Sequence, residues 1–600
     1  MEEAMTPRTL VDIFRNLKTL NKPDLHLYKK DGRWIPVSSN EFIERVKWVA
    51  CAFEGLGVAP GDRIALLSEN RPEWSTVDFA CQCYGAVLVP IFPTMVSAQT
   101  EYLLQDSGTV LAFASTSDQA KKVLDAKGTC PKLKHVIAFD DLHEPGVISF
   151  PSFLEEGKKR HESNPEAFEQ WADSRKPDDL ATLIYTSGTT GEPKGAMLMQ
   201  SNFVSNVVAG CQILPFDSSN IALSFLPLSH VFERLIEYCY YHRGATIAFA
   251  ESIDSVKDNL LEVNPTIFGA VPRVYEKVFS RIHDKVAKGS PLQQKIFAAA
   301  ISVGKEVLEL RQQKKTPGAF LAAQRFLFER LVYGKIRAAL GTRFRMAISG
   351  GAPLAKDLAE FFWGIGVEIY EGYGLTETSP VIAVNSPSAW KLGTVGRVLP
   401  GVEVKIAEDG EILARGPNIM KGYYNKPEAT REAIDNDGWF HTGDIGIIDE
   451  DGFLKITDRK KELIVNSNGK NIAPAPIENA LKSEPYVSQA VVIGDRRKFL
   501  SCLIVPNLEK LADWAKANGM AGRTSEELIA DERILALFQK IIDRWNTDRP
   551  HEQMIRRFGL LPAEFTIEGG ELTPKLSVKR RVVDTKYRDV IDRLYAGSKD

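Results

Sequence analysis

The sequence predicts an α/β protein. A large N-terminal domain of two α/β subdomains and a small β-barrel-like region precedes a small, mobile α+β C-terminal domain. Three observations carry this. From 42 to 200, and again from 219 to 275, short apolar runs alternate with stretches of helical period, the rhythm of a largely parallel sheet. From 393 to 457 the texture turns to brief alternating segments separated by Asp-Gly pairs, which are hairpin signals. At "DRKKELIVNSNGK" (458–470) charge and composition change, and a module of about 140 residues follows.

The elements follow in order. "FIERVKWVACAFEGLG" (42–57) has helix spacing and ends at Gly57. "DRIALLSEN" (62–70) is a short apolar strand, and "TVDFACQCYGAVLVPIF" (76–92) reads as helix, then strand. "KHVIAF" (134–139) and "LATLIYTS" (180–187) continue the first subdomain. "SNIALSFLPL", "ATIAFA" and "PTIFGAVP" are the buried strands of the second. The expected division is 1–457, with a basic helical insertion near 283–345, then a hinge at 458–461 and a C-terminal domain at 462–600.

Composition excludes several classes. At 600 residues and 44% hydrophobic the chain can bury a large core. Its net charge of −3 gives no field for nucleic acid, so no nucleic-acid partner is expected. The charge is uneven, since 283–345 holds 13 Lys+Arg against 4 Asp+Glu. Seven scattered cysteines (Cys51, Cys81, Cys83, Cys130, Cys211, Cys239, Cys502) read as free thiols of a reducing cytoplasm. Cys81-Gln-Cys83 lacks zinc spacing. The opening "MEEAMTPRTLVDIFRNL" has no signal-type apolar region, and "GAVLVPIFP" is too short and proline-broken to cross a bilayer. A soluble, cytoplasmic protein is expected.

Chemistry gathers in five stretches. "YTSGTTGEPKG" (185–195) follows an apolar strand. Its glycines let backbone N–H groups approach anionic oxygens, its hydroxyls add donors and Lys194 adds a charge. It reads as a phosphate cradle or as a surface turn, and it lacks the spacing of a Walker A loop. "EGYGLTETSP" (371–380) sets Tyr373 beside glycines, Thr376 and Glu377. "HTGDIG" (441–446) reads as a tight turn carrying Asp444, "TDRKKELI" (457–464) carries Arg459, and "GELTPKLSVKRR" (570–581) is a lysine-rich turn. Each alone also has a plain reading as a turn, cap or solvated charge run.

In this order the five resemble the core motifs of the adenylate-forming superfamily: acyl-CoA synthetases, luciferases and peptide-synthetase adenylation domains. The resemblance runs from about 20 to 585. It implies that Thr186, Ser187, Gly188, Thr189, Thr190, Gly191 and Lys194 hold the β- and γ-phosphates of ATP. Gly350, Gly351 and Ala352 of "SGGAPL", with Tyr373, are implied as the adenine pocket, and Glu371, Gly372, Gly374 and Thr376 as further cofactor-binding residues. In that pocket a flat ring faces a Gly-Gly backbone where a Cβ would obstruct the purine. Glu377 is implied as the Mg2+ ligand, Asp444 and Arg459 as the ribose pair, and Lys461 as the hinge of a rotating C-terminal domain. Read without the resemblance, Lys461 is a surface lysine.

"LPLSHVFER" (226–234), "GAVPRVYEKV" (269–278), "SNGKNIAPAPIEN" (467–479) and the basic insertion resemble the long-chain fatty acyl-CoA synthetases in particular. His230 is either a core histidine or part of an apolar acyl-pocket wall. The implied reaction joins fatty acid and ATP into acyl-AMP and pyrophosphate, then acyl-AMP and coenzyme A into acyl-CoA and AMP, with no obligate protein partner. The alternatives are an acyl-AMP ligase loading a carrier protein and a non-catalytic lipid- or nucleotide-binding protein. Residues 319–340 mix apolar and basic positions, so the helix either lies peripherally on the inner face of a membrane or packs on its own domain with a solvated basic face. The final turn departs from the family's T-P-T-L-K-x-K-R, with Ser577 where the first lysine stands. Lys575 is the expected adenylation lysine, and Lys579 is expected to face solvent with Arg580 and Arg581.

Overall fold

The computed structural model describes residues 6–140, 142, 144–186, 192–344, 346–466, 470–547, 549–566, 569–572 and 578–596. They form two compact units. One comprises Met1–Lys405, Leu413–Thr442 and Asp449–Leu454, the other Ile406–Ile412, Gly443–Ile448 and Lys455–Asp600.

The first unit contains two sheets. In the eight-stranded sheet Arg63–Leu67 lies between Val87–Ile91 and Leu111–Ala114, all parallel. The chain returns from Arg63–Leu67 to Val87–Ile91 through helix Pro72–Tyr84, because parallel neighbours need a crossover. Leu180–Thr186 extends the sheet in parallel beside Val87–Ile91, and Lys194–Met199 then turns back antiparallel. The nine-stranded sheet holds Thr246–Phe249, Ile221–Ser224, Ile267–Ala270, Met346–Ser349 and Glu368–Gly374 side by side and parallel. Both subdomains predicted from alternating periods are thus present, and their strands are buried runs, as parallel sheets require.

One core joins the sheets through their helices. Rings of Phe14 and Phe79, Phe42 and Tyr241, and Phe203 and Tyr238 meet at 5.8, 5.7 and 5.3 Å between centroids. Inside this apolar layer Arg234 pairs with Asp78 at 2.5 Å, both almost wholly buried. Tyr238 Oη also donates to Asp78 at 2.6 Å, and Arg234 donates to Thr182 Oγ1 at 3.0 Å. The network ties helix Val231–Arg243 to helix Pro72–Tyr84 and to strand Leu180–Thr186. All seven cysteines are buried free thiols.

The turn-rich stretch forms the short strands its Asp-Gly pairs predict. Gly410 and Gly452 take the positive φ such turns demand, 84° and 80°. The second unit has a three-stranded sheet in which Leu500–Pro506 runs antiparallel to Val487–Ile493 and parallel to Ile555–Leu560. Its alternate residues serve two cores. Cys502 and Ile504 face helices Pro474–Lys482 and Glu532–Asn546, whereas Leu503 and Val505 share a core with Val583 and Ile591. This is the small α+β module of the predicted fold class.

Candidate functional site

Strand Leu180–Thr186 ends at Thr186, which pairs in register with Lys194, the first residue of the returning strand. The loop tip between them carries Ser187, Gly188, Thr189, Thr190 and Gly191, which lie outside the described residues. Beside this hairpin the 3-10 turn Thr376–Thr378 presents Glu377. The buried Glu377 Oε1 accepts from Thr186 Oγ1 at 3.2 Å and from Tyr423 Oη at 2.9 Å. Burial and the Glu377 charge raise the Tyr423 phenol, so it remains a donor. Lys194 Nζ sits 5.1 Å from the centroid of the Tyr423 ring, a cation–π distance. Three predicted residues, Thr186, Lys194 and Glu377, therefore meet at one point.

Tyr423 is the member that sequence reasoning missed. It arrives on the short strand Gly422–Tyr423, paired antiparallel with Lys194–Met199. The available signal was "GYY" (422–424), an apolar-looking triplet that acquires a role only through this pairing.

A carboxylate beside a threonine hydroxyl is a hard-oxygen set that suits magnesium, which completes its shell with phosphate oxygens and water. Among the described residues no group of three His, Cys, Asp or Glu side chains could hold a metal. Glu377 fits an ion carried in with a nucleotide.

Glu371 to Gly374 end a central strand of the nine-stranded sheet. Glu371 Oε1 and Thr376 Oγ1 are buried with no hydrogen-bond partner among the described residues, as are the Ser349 and Ser379 hydroxyls. Buried orphans of this kind point to a missing polar ligand. Burial pushes the Glu371 carboxyl up to about 8, so near neutral pH it is largely protonated and can donate as well as accept. Gly351 adopts φ 79°. A Cβ at Gly350 would stand 2.8 Å from the Phe232 ring. The glycine therefore makes room for Phe232 in this structure, a constraint the purine argument did not include. Ala352 follows in the same exposed loop.

His230 caps helix Val231–Arg243, with Nδ1 accepting from Phe232 N at 3.1 Å, and its ring lies 6.5 Å from Phe92. A capping histidine beside an aromatic ring is consistent with both readings of this residue.

In the second unit Asp444 and Arg459 meet, Nε to Oδ1, at 3.3 Å. Asp444 is not in a turn as its sequence suggested. It lies within strand Phe440–Ile448, where 440, 442, 444 and 446 alternate inward, so the carboxylate takes a buried position. Lys460 pairs with Asp409 and Glu411 at 2.6 and 2.8 Å. Lys461 lies in the turn Lys460–Glu462. Lys575 and Ser577 lie outside the described residues. Arg580 does not face solvent as expected. It donates to Glu478 at 2.6 Å and to the Val492 carbonyl at 3.1 Å, because a buried carboxylate on helix Pro474–Lys482 needs a counter-charge. Arg581 is exposed, and Lys579 is half-buried at the N-cap of helix Arg580–Lys586.

The model of the AMP-binding enzyme family matches residues 18–424, and that of the AMP-binding enzyme C-terminal domain matches 461–599. The chain belongs to the AMP-binding enzyme family. It is 40% identical over 586 residues to the long-chain-fatty-acid–CoA ligase FadD15 of Mycobacterium bovis, covering 96% of this chain and 95% of that one. The long-chain-fatty-acid–CoA ligase ACSBG1 of Homo sapiens is 34% identical over 614 residues, covering 95% and 83%. Among solved structures, the anthranilate CoA ligase AuaEII in complex with anthranoyl-AMP superposes with TM-score 0.75 at 18% identity, covering 99% of this chain and all of that one. A Mycobacterium tuberculosis fatty acyl CoA synthetase gives TM-score 0.61 at 22% identity, covering 97% and 99%. These two likenesses establish the fold of the AMP-binding enzymes for this chain. Among its described residues no helix is long and apolar enough to cross a membrane.

Proposed function

We propose that this AMP-binding enzyme is an AMP-forming long-chain-fatty-acid–CoA ligase. The observation that carries the reading is the cluster of Thr186, Lys194, Glu377 and Tyr423 at the end of strand Leu180–Thr186, a place where α/β sheets bind ligands.

A carboxylate acylates poorly because its leaving group would be oxide. In the first half-reaction a carboxylate oxygen attacks the ATP α-phosphorus, the α–β P–O bond breaks and pyrophosphate leaves. In the second, the coenzyme A sulfur attacks the acyl carbon, its thiol proton is lost to solvent and AMP departs with the C–O electron pair. The loop from Thr186 to Lys194 holds the β- and γ-phosphates, with Lys194 opposing their charge. Glu377, beside the Thr186 hydroxyl, would hold Mg2+, which when bound supplies positive charge against the phosphates. Glu371, Gly372, Tyr373, Gly374 and Thr376, with Gly350, Gly351 and Ala352, receive the adenine. Asp444 accepts from both ribose hydroxyls, and Arg459 orients it. His230 stands in the wall of the acyl pocket.

Both half-reactions use one small domain. We assign the N-terminal domain to 1–457, the hinge to 458–461 with Lys461 as pivot, and the moving domain to 462–600, whose rotation replaces a lysine by a coenzyme A passage. Lys575 supplies the positive charge to the α-phosphate. Long-chain acids reside in membranes, and 319–340 is the segment that meets a membrane surface in this reading.

The test separates the half-reactions. Lys575→Ala abolishes fatty-acid-dependent ATP–pyrophosphate exchange yet still converts supplied acyl-AMP to acyl-CoA. If Lys579→Ala shows that pattern and Lys575→Ala does not, the assignment of the adenylation lysine is wrong.

A further inference from the structure

Helix Ala319–Phe328 is built inside out. A helix on a water-facing surface normally turns its apolar stripe to the core and its charges to solvent. Here only Leu321 of the ten residues is buried. Phe320, Phe326 and Leu327 are 78, 66 and 54% exposed, and Leu331 continues the row at 43%. Ala322 and Ala323 between them are exposed as well.

The charges go the other way. Arg325 donates to the Gly364 carbonyl, and its guanidinium lies 4.1 Å from the centroid of the buried Tyr333 ring. Arg337 donates to the Ile365 carbonyl at 2.6 Å and pairs with Glu329. The inward arginines satisfy the carbonyls that end helix Lys356–Gly364, and this arrangement fixes which side of the segment faces out. Of the segment's four basic residues, Arg325 and Arg337 thus turn inward, whereas Arg330 and Lys335 stay exposed.

An outward row of two phenylalanines and two leucines is an apolar patch that calls for an occupant. Its surroundings indicate which. Arg330 is exposed and stacks on Phe326 with 5.5 Å to the ring centroid, and Lys314, Lys315 and Lys335 are exposed at either end of the segment. Apolar side chains rimmed by cations match the interface of a bilayer, where rings sit below the headgroups and cations meet phosphate.

We propose that the face formed by Phe320, Phe326, Leu327 and Leu331 inserts into the interfacial layer of a lipid bilayer, with Arg330, Lys314, Lys315 and Lys335 resting on its anionic headgroups. The proposed ligase reading supplies the reason for visiting a bilayer, namely collection of an insoluble acid. The inverted helix is independent of it. Insertion, rather than charge alone, carries most of the attachment, so binding survives high salt and extends to neutral lipid.

The test is co-sedimentation of the full chain with vesicles of phosphatidylcholine, alone or mixed with phosphatidylglycerol, in low and high salt. The wild type binds both vesicle types, more tightly when phosphatidylglycerol is present, and retains most binding in high salt. The variant Phe320→Ser, Phe326→Ser, Leu327→Ser binds both types at least about a hundredfold more weakly, since each exposed apolar group contributes on the order of tenfold. Arg330→Gln with Lys335→Gln, Lys314→Gln and Lys315→Gln loses the preference for phosphatidylglycerol and keeps binding to phosphatidylcholine. The serine variant still turns over detergent-dispersed acid, which shows that it folds. Equal vesicle binding by wild type and serine variant overturns the proposal, as does failure of the wild type to bind either lipid. If the wild type is a dimer that the serine variant dissolves, a second copy of the chain is the occupant and the proposal is wrong. Absence of ligase activity with vesicle binding intact would instead sink the proposed reaction alone.

Discussion

At the scale of single residues, Glu371 makes the most specific demand. Its carboxyl is buried on a central strand, Oε1 has no partner among the described residues, and burial raises it from 4.5 to about 8. Unfolding exposes the group to water, where it ionises near its ordinary value. Between those two values the folded state therefore binds the extra proton. The stability that Glu371 contributes is complete below about pH 4.5 and is lost as pH rises through about 8. The buried acid Glu237, also raised to about 8, acts in the same direction. Urea unfolding from pH 5 to 7 compares the wild type with Glu371→Gln, because buried His26, pushed down from 6.5 to about 3, acts in the opposite direction over part of this range. With rising pH the wild type loses stability relative to the variant by about 1.4 kcal/mol per pH unit, one proton's worth. An unchanged slope would show that the carboxyl is not held neutral. Lys194 and Glu377 were legible in the sequence because a charge among glycines and hydroxyls implies chemistry. Tyr423 was not, because its role depends on a strand pairing more than two hundred residues along the chain. Asp444 looked like a turn residue because Thr-Gly-Asp is turn chemistry, whereas the alternation of buried positions in Phe440–Ile448 assigns it to a strand.

Among the elements, helix Val231–Arg243 is the keystone of the first unit. Its Arg234 is buried beside Asp78, and Asp78 raises the guanidinium against the opposing effect of burial, the largest single influence on it. A buried pair of this kind is weak evidence of net stabilisation, but removing one partner strands the other charge in an apolar layer. Asp78→Ala therefore lowers the unfolding free energy by about 3–5 kcal/mol. Pairing Asp78→Ala with Arg234→Met restores much of that loss, and a cycle in denaturant measures the coupling. Additive losses in the double variant would show that the two side chains do not act as a pair. The strands and helices of both subdomains were legible because parallel strands are short apolar runs and their crossovers carry helical period. The inside-out orientation of helix Ala319–Phe328 was not. Composition supplies its phenylalanines and arginines, but only the carbonyls of Gly364 and Ile365 beneath it decide which point outward.

For the whole molecule, two units and two family matches describe one fold with an N-terminal AMP-binding region and a C-terminal companion. That architecture was legible because a hairpin-rich stretch and a charged segment separate two α/β textures. The final turn was legible only as a departure from its family, with Ser577 where a lysine was expected. In the proposed reaction the chain spends ATP on a carboxylate and passes the acyl group to a thiol. The most direct measurement incubates the purified protein with ATP, Mg2+ and coenzyme A, with and without a long-chain fatty acid, and quantifies every product. The expected products are AMP, pyrophosphate and acyl-CoA in equal amounts, all dependent on the acid, with ATP–pyrophosphate exchange persisting when coenzyme A is omitted. Release of ADP and orthophosphate, or acyl-AMP that coenzyme A does not consume, would contradict the proposed reaction.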